Sequence, residues 1–228
     1  MKSYQFYLVS TPIGNLGDIS ERALEVLKSV DEILAEDKRK AGILLSHYGI
    51  NTRLGSYHDH NKEKVTPGII ESLKQGRRMA LITDAGTPVI SDPGYYLVRE
   101  LIRNGIEFTG IPGPTSIIHA LTLSGLPPDR FTFMGYIPRK KGKRDKLIKE
   151  AGSREETVIF FESPFRLIKT LNSISGILGE REVVVARELT KLHEEVQRGS
   201  AAELVERFGQ RRIKGEVTLL LRGLGRRK

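Results

Sequence analysis

The segment at residues 6–18 reads FYLVSTPIGNLGD, and it decides the fold class. Four apolar residues lead into a loop with one proline and two glycines, and an amphipathic pattern begins just after it at Ser20. An apolar strand, a glycine-containing turn and a helix in this order form the unit from which parallel α/β sheets are built. We therefore predict an α/β fold whose first strand, loop and helix lie here.

Strands and helices alternate in the same way along the rest of the chain. The sequence predicts strands at residues 6–10, 32–35, 79–83, 106–111, 131–136, 157–161, 182–187 and 217–221, and helices at residues 20–30, 41–48, 62–75, 98–104, 116–124, 165–174 and 201–208. It predicts neither in the polar stretch 138–149. Apolar strands joined by helices indicate a mostly parallel sheet covered on both faces. Prolines and a glycine at residues 111–114 interrupt the alternation, so we predict two α/β domains, residues 1–113 and 114–228.

The charge is divided unevenly between the two halves. The 228 residues include 37 Lys and Arg against 28 Asp and Glu, a net charge of +9. Residues 1–114 contain 14 basic and 14 acidic side chains, so residues 115–228 contribute the whole excess. This asymmetry points to a polyanion bound by the second half, although a soluble basic surface without a partner has the same composition.

Several classes of protein are excluded by composition. The chain contains no cysteine, which excludes disulfides, cysteine–zinc sites, iron–sulfur clusters and a thiol nucleophile. No apolar run approaches the roughly 18 residues of a membrane span, and the apolar start is too short for a signal peptide. We expect a cytoplasmic protein with no membrane partner.

Three loops rich in glycine and proline follow predicted strands, at residues 10–18, 83–94 and 110–116. None has the spacing of a Walker A loop or a dinucleotide-binding fingerprint. Taken singly, each has an ordinary explanation: a turn, a helix cap formed by Asp92, or an interdomain hinge. Because ligands bind beyond the carboxyl ends of parallel strands, the three together predict a small-molecule cleft facing a second domain.

A basic tract at residues 139–146 contains six Lys or Arg side chains in eight positions. Such a density neutralises phosphates and predicts RNA contact. The alternative is the solvated start of a helix. We assign RNA binding to Arg139, Lys140, Lys141, Lys143 and Arg144. The aromatic residues just upstream, Phe131 and Phe133, alternate as in a core strand rather than a base-stacking surface.

The loops and five shorter motifs together resemble one family, the ribosomal RNA small subunit methyltransferases I, a branch of the tetrapyrrole methylase superfamily. The residues that carry the resemblance lie at 11–15, 37–39, 56–61, 84–94, 111–116, 160–164, 187–191 and 214–216. It implies the class III methyltransferase fold, two α/β domains with S-adenosylmethionine in the interdomain cleft, and a homodimer. It also implies 2′-O-methylation of the decoding-centre cytidine in small-subunit (16S) ribosomal RNA.

The resemblance places cofactor contacts where motifs match. In the first loops these are Pro12, Ile13, Gly14, Asp84, Gly86, Thr87, Pro88, Ile90, Thr115 and Ser116, and in the second half Glu162, Leu189 and Glu216. Thr87 replaces the Asp of the superfamily's Gly-Asp-Pro element. The second-half alignment is looser by one or two residues. Many members also have a helical extension after the motif at 214–216, which leads us to expect that this chain docks RNA without it or with a partner.

Methyl transfer to a ribose hydroxyl requires in-line positioning and removal of the hydroxyl proton, but no metal. Several residues could act as the general base: Asp37, His58, His60, Lys191, His193 and Glu194. We select Asp37, His60 and Lys191 as the candidates. Asp37 also fits a solvated salt-bridge cluster, His60 a surface loop and Lys191 a phosphate contact. The pair His58 and His60 alone is a weak metal signal.

Two other functions remain open from the sequence. One is methylation of the carbon skeleton of a porphyrin-like ring, against which the basic tract argues. The other is a non-enzymatic RNA-binding or ribosome-associated protein, against which the three intact loops argue.

Overall fold

A computed structural model describes residues 3–225 of the chain. The chain divides into two compact units, one ending at Thr115 and the other beginning at Ser116. This division lies two residues beyond the boundary at residue 113 suggested by the prolines. Each unit contains one five-stranded sheet.

The first unit is a parallel α/β sheet. Its strands are β1 Phe6–Val9, β2 Glu32–Ala35, β3 Arg53–Ser56, β4 Met79–Ile82 and β5 Phe108–Ile111, and its helices are α1 Glu21–Ser29, α2 Lys38–His47, α3 Lys62–Lys74 and α4 Gly94–Arg103. The strand order is β3-β2-β4-β1-β5, and every neighbouring pair is parallel. All five carboxyl ends therefore lie along one edge.

Both faces of this sheet are covered by apolar side chains. Ile33 packs in a core with Leu27 of α1 and Leu45 of α2. The next residue, Leu34, packs in a second core with Leu73 of α3 and Leu97 of α4. Successive side chains of a strand point to opposite faces, which is why near-continuous apolar strands fill two cores at once. The predicted parallel sheet is confirmed for this unit.

The second unit is a mixed α/β sheet. Its elements are α5 Ser116–Ser124, β6 Phe131–Tyr136, α6 Lys141–Gly152, β7 Thr157–Glu162, α7 Leu167–Leu178, β8 Glu182–Arg187, β9 Glu195–Ser200, α8 Ala201–Gly209 and β10 Val217–Leu221. The order is β6-β7-β10-β8-β9, with β6 and β7 parallel, β10 antiparallel to β7 and β8, and β9 antiparallel to β8. β6, β7 and β8 consequently end at the same edge, where β10 begins.

The sheet of the second unit, unlike that of the first, is mostly antiparallel. Only one of its four strand pairs is parallel. The edge strand β9 was not predicted, because its sequence EVQRGS has a single large apolar residue. Helix α6 lies where a polar stretch was expected. Its buried side consists of Arg144, Ile148, Ala151 and Gly152, so a charged residue stands at one of the core positions and conceals the helical period.

Local signals placed most other elements correctly. Ser20 caps α1 by accepting a hydrogen bond from the Ala23 amide, as predicted. Helix α4 begins at Gly94, four residues before the predicted start at residue 98, because Asp92 accepts the Gly94 amide and supports the first turn. No helix in the described part of the chain has the length and apolar character that a membrane span requires.

A half-buried ion pair in the second unit makes its stability depend on pH. The Arg187 Nε donates to Glu195 Oε2 at 2.6 Å, and Arg211 also bonds this carboxylate. Burial alone would raise the pKa of Glu195, but these two guanidinium groups outweigh it, and the pKa is lowered from its ordinary 4.5. Because the pKa is lowered in the folded state, the stabilisation is present above pH 4.5 and is lost as the pH falls through the folded-state value.

We therefore expect Glu195→Gln to lower the free energy of unfolding by about 1–2 kcal/mol at pH 7. The difference from wild type should shrink steadily in urea unfolding curves measured at decreasing pH below 4.5. Glu206→Gln, on the exposed side of α8, serves as control and should change little at any pH. A deficit of Glu195→Gln that is constant with pH would contradict the ion-pair explanation.

Candidate functional site

The three loops rich in glycine and proline lie side by side in the first unit. Because β1 is hydrogen-bonded to β4 on one side and β5 on the other, the loops that follow these strands meet at the carboxyl edge. The first two are joined by an isolated antiparallel bridge between Thr11 and Gly86, with N–O distances of 2.9 and 3.1 Å. The convergence expected from the sequence is present.

The hydroxyl of Thr87 connects all three loops. The Ser10 hydroxyl donates to Thr87 Oγ1 at 3.2 Å, and Thr87 Oγ1 donates to the Pro114 carbonyl at 3.2 Å. Thr11 adds a bond from its hydroxyl to the Thr83 carbonyl at 3.1 Å. A short neutral side chain can donate and accept in this position, whereas a carboxylate could only accept. Threonine at 87 therefore has a definite local role at the edge.

The middle loop has a strained backbone. Val89 and Ser91 have φ angles of 81° and 64°, which L-residues adopt at a cost of order 1–3 kcal/mol each. Asp92 holds this conformation, because its carboxylate accepts from the Val89 amide at 2.6 Å and from the Gly94 amide at 2.7 Å. Burial raises the pKa of Asp92, and the two amide bonds oppose that rise. Asp92 thus supports both the loop and the start of α4, consistent with the capping role expected for it.

The residues assigned to the cofactor in the first unit differ in accessibility. Pro12, Ile13, Gly86 and Pro88 are buried within the loops, Thr87 and Thr115 are half-buried, and Gly14, Asp84 and Ile90 are exposed. Ile90 leaves 47% of its surface open, and Leu16 in the first loop leaves 37% open. Asp84 is already engaged, since Lys40 Nζ lies 2.6 Å from its Oδ2. The edge therefore offers main-chain groups and two exposed apolar side chains.

Asp37 is occupied at the start of a helix. Its carboxylate accepts from the Arg39 amide at 2.8 Å, caps α2, and pairs with the Arg39 guanidinium at 3.1 Å. The side-chain and main-chain bonds from Arg39 lower the pKa of Asp37 to about 2. A carboxylate held so far in its ionised form is a weak proton acceptor. The geometry fits the salt-bridge alternative better than catalysis.

The neighbouring Glu36 was not singled out by the sequence. Its pKa is raised, first by loss of hydration and then by the negative charges of Asp84, Asp92 and Asp59. No pattern in the sequence brings these acidic residues together, because Glu36 follows β2, Asp59 follows β3, and the other two follow β4. Glu36 is nevertheless a stronger base than Asp37 at the same strand end.

His60 lies exposed in the segment after β3. This segment is ordered by Asn61, whose side chain accepts from the His58 amide at 2.8 Å and donates to the Ser56 carbonyl at 3.1 Å. The rings of His58 and His60 meet edge to face with centroids 6.0 Å apart. β3 is the first strand in the sheet order, so His60 stands at one end of the carboxyl edge.

The second unit has its own polar edge at the ends of β6, β7 and β8. Lys191 Nζ lies 2.9 Å from Glu188 Oε1 and 3.1 Å from Glu216 Oε2. Burial alone would lower the pKa of Lys191, but the two carboxylates outweigh it and raise the pKa. Lys191 is therefore held as an ammonium ion, which opposes its use as a base. Leu189, which lies between Glu188 and Lys191 in the sequence, is buried.

Glu162 is enclosed, so a direct cofactor contact by its side chain is not what the structure shows. The side chain has no exposed surface. Arg166 Nη2 lies 2.6 Å from its Oε1, the Ser163 amide donates to the same oxygen at 2.6 Å, and the Thr170 hydroxyl donates to Oε2 at 2.5 Å. A buried carboxylate needs such partners, and these three fix the turn after β7.

Arg144 requires a similar correction within the basic tract. Arg139, Lys140, Lys141 and Lys143 are exposed around the first turn of α6, but only 4% of Arg144 is exposed. Its Nε lies 3.4 Å from Asp145 Oδ1. Arg144 occupies the core side of α6, so it is not available to a phosphate on the surface. The solvated helix start expected as the alternative does not describe this residue either, because it is buried.

Comparison with known proteins gives a consistent assignment. A family model described as tetrapyrrole (corrin/porphyrin) methylases matches residues 5–205. Relatives named ribosomal RNA small subunit methyltransferase I are 46% identical over 216 residues in Thermotoga maritima and 48% identical over 223 residues in Escherichia coli O157:H7. The chain belongs to the ribosomal RNA small subunit methyltransferase I family. The matches span 95% and 96% of this chain, and 97% and 78% of the two relatives.

Solved structures agree on the fold of this family member. Uroporphyrin-III C-methyltransferase from Thermus thermophilus has a TM-score of 0.66 at 21% identity, covering 95% of this chain and 93% of that one. Diphthine synthase has a TM-score of 0.71 at 15% identity, covering 95% and 89%. The predicted fold class, two α/β domains of the tetrapyrrole methylase type, is thereby confirmed.

In this member of the methyltransferase I family, the contact between the first two loops is sensitive to a single methyl group. Gly86 has φ of +86°, and a Cβ there would lie 3.3 Å from Ile13 Cγ2. Gly76 has nearly the same φ, +88°, but has open space around it. Substituting alanine at each of the two glycines therefore separates the cost of backbone strain from the cost of steric crowding.

We expect Gly76→Ala to lower the free energy of unfolding by about 1–2 kcal/mol, the cost of a left-handed L-residue. Gly86→Ala should lower it further, because Ile13 must also move. Urea unfolding of both variants measures the difference. Equal losses would show that the Gly86–Ile13 contact is relaxed without cost.

Proposed function

We propose that this enzyme transfers a methyl group from S-adenosylmethionine to the 2′-hydroxyl of the decoding-centre cytidine in 16S ribosomal RNA. The observation that carries the proposal is the set of three loops joined through Thr87 at the carboxyl edge of the first sheet, in a chain 46–48% identical to ribosomal RNA small subunit methyltransferases I. The exposed cations of α6 supply a surface for an RNA acceptor. The porphyrin-related neighbours are at most 21% identical and support only the fold.

The first-unit edge fits a cofactor of this kind. Main-chain groups around Thr87 and Pro88 are suited to the polar methionine end, and the exposed side chain of Ile90 to an apolar part. The S-adenosylmethionine sulfonium supplies an activated methyl group when it is bound. The chain itself has to hold the acceptor oxygen in line and accept its proton.

The remaining assignments to the cofactor extend this proposal. Gly14, Asp84, Thr115 and Ser116 belong to the same loops or follow them directly. In the second unit, Leu189 and Glu216 lie near the end of β8 and before the start of β10. Glu162 would contribute by fixing the turn at residues 163–166 rather than by contact. We also propose a cytoplasmic homodimer, as the family resemblance implies.

We propose His60 as the proton acceptor among the three candidates from the sequence. Asp37 caps α2 with a pKa of about 2, and Lys191 is held as a cation by Glu188 and Glu216. His60 is exposed at the carboxyl edge, and imidazole is the group most often used for proton transfer.

For this role, His60→Gln should reduce kcat on unmethylated small subunits by about 10²-fold, the usual contribution of a general base. The Kd for S-adenosylmethionine, measured by calorimetry, should not change. His47→Gln on α2, also exposed, is the matched control. If Glu36→Gln lowers kcat as strongly and His60→Gln does not, the base is the carboxylate with the raised pKa instead.

The basic tract is tested by charge reversal that spares the buried arginine. Replacing Arg139, Lys141 and Lys143 together by Glu should weaken RNA binding and reduce the slope of log Kd against log salt by about two to three, one for each lost phosphate contact. Cofactor affinity should remain that of wild type.

The control reverses three exposed cations of the first unit, Arg22, Lys28 and Lys64, which gives the same change in net charge. Its salt slope should stay close to that of wild type. Equal loss of RNA affinity in both triple variants would mean that total charge, rather than the tract, determines binding.

The activity itself is tested with labelled S-adenosylmethionine. Small subunits lacking the ribose methyl should accept label, and a tetrapyrrole precursor should not. Label in the tetrapyrrole alone would overturn the proposed acceptor.

A further inference from the structure

Two aromatic rings stand exposed at the edge of the second sheet where β6, β7 and β8 end. Phe165, in the short 3₁₀ turn Pro164–Arg166 after β7, exposes 83% of its surface. Tyr136, the last residue of β6, exposes 61%. Large apolar rings left in water at a functional edge are typical of a binding surface.

The turn that presents Phe165 does not depend on the ring for its structure. Arg166 is fixed on both sides, since its Nη2 pairs with the enclosed Glu162 carboxylate at 2.6 Å and its Nη1 donates to the Ile137 carbonyl at 2.9 Å. The Ser163 amide donates to Glu162 as well. The backbone on either side of Phe165 is thus anchored, and the ring itself is free to contact a ligand.

The same bonds place the ring close to the basic tract. Ile137, which Arg166 bonds, lies two residues before Arg139 in the chain, and its amide donates to the Phe161 carbonyl at 3.2 Å. The Tyr136 ring packs on Phe161 with centroids 5.3 Å apart. Exposed rings and the exposed cations Arg139 to Lys143 therefore belong to one neighbourhood of the second unit.

We propose that Phe165, assisted by Tyr136, is a stacking surface for an unpaired base of the RNA whose phosphates are bound by the cations at the start of α6. Cations beside exposed aromatic rings match the requirements of single-stranded RNA, which offers phosphates and unstacked bases together. This inference rests on the proposed function and adds the form of its acceptor: an unpaired segment rather than a duplex.

A second copy of the chain is a poorer occupant of this surface. In a two-fold contact the same patch faces itself, so the exposed cations of each copy would oppose those of the other. Juxtaposed like charges are unfavourable. An anionic ligand has the complementary charge.

The absence of tryptophan in the chain allows a direct test. Phe165→Trp introduces a single indole at the proposed stacking position, and Ile102→Trp introduces one at an exposed apolar position on α4, at 63% exposure, as the control. A short single-stranded RNA with the decoding-centre sequence should quench Phe165→Trp fluorescence at least about twofold more than that of Ile102→Trp. The same RNA annealed to its complement should quench it less. Equal quenching of both variants would overturn the proposal.

Steady-state kinetics test the ring on the natural acceptor. Phe165→Ala should raise KM for unmethylated small subunits about tenfold, with the Kd of S-adenosylmethionine unchanged, and Phe165→Tyr, which keeps the ring, should stay within about twofold of wild type. Phe165→Leu, which keeps apolar area without a ring, should resemble Phe165→Ala. An unchanged KM for Phe165→Ala, or for Phe165→Leu alone, would rule out stacking.

Two further measurements separate the possible failures. Light scattering of Phe165→Ala should give the wild-type mass, and dissociation into a smaller species with unaltered RNA affinity would assign the surface to a contact between copies, against the proposal. If RNA quenches the Phe165→Trp variant as expected but the wild-type enzyme methylates no RNA, the proposed function fails and RNA stacking stands. If wild type methylates and no quenching occurs, only the stacking inference fails.

Discussion

The parallel pairing of β1 with both β4 and β5 is the constraint on which the first unit depends. It brings three loops that are far apart in the sequence to one edge of the sheet. Ser10 and Thr87, for example, are 77 residues apart and are hydrogen-bonded there. Once the strands are in register, a few hydrogen bonds suffice to join the loops. The strained backbone at Val89 and Ser91 is stable only because its neighbours on either side are already fixed.

Sequence reasoning succeeded where one local pattern determines one element. Apolar runs such as residues 32–35 and 217–221 gave strands with the observed bounds, and the glycine–proline loops meet at one edge of the first sheet as expected. Sequence reasoning failed where a charged side chain is buried. Arg144 looks like one more surface cation, yet the helical period of α6 turns it to the core. Glu162 looks like a ligand contact, yet its partners Arg166 and Thr170 on the following turn and helix enclose it.

The candidate bases show why roles are harder to predict than positions. Asp37, His60 and Lys191 were reasonable by residue type and by place after strands. Their environments differ in ways that only side-chain contacts reveal: Arg39 lowers the pKa of Asp37, and two carboxylates raise that of Lys191. The acidic neighbours that raise the pKa of Glu36 come from the loops after β3 and β4, whereas Glu36 follows β2, so no spacing in the sequence predicts their effect.

The enclosure of Glu162 has a consequence for how ionic strength acts on the second unit. Mobile ions screen charges that face water, but they reach a pair buried in the protein much less. The bonds of Glu162 to Arg166, Ser163 and Thr170 therefore keep the turn in place over a wide range of salt concentrations, whereas the cations at the start of α6 exchange counterions with the solvent. The orientation of the surface and its attraction for an anion are in this way physically separate properties.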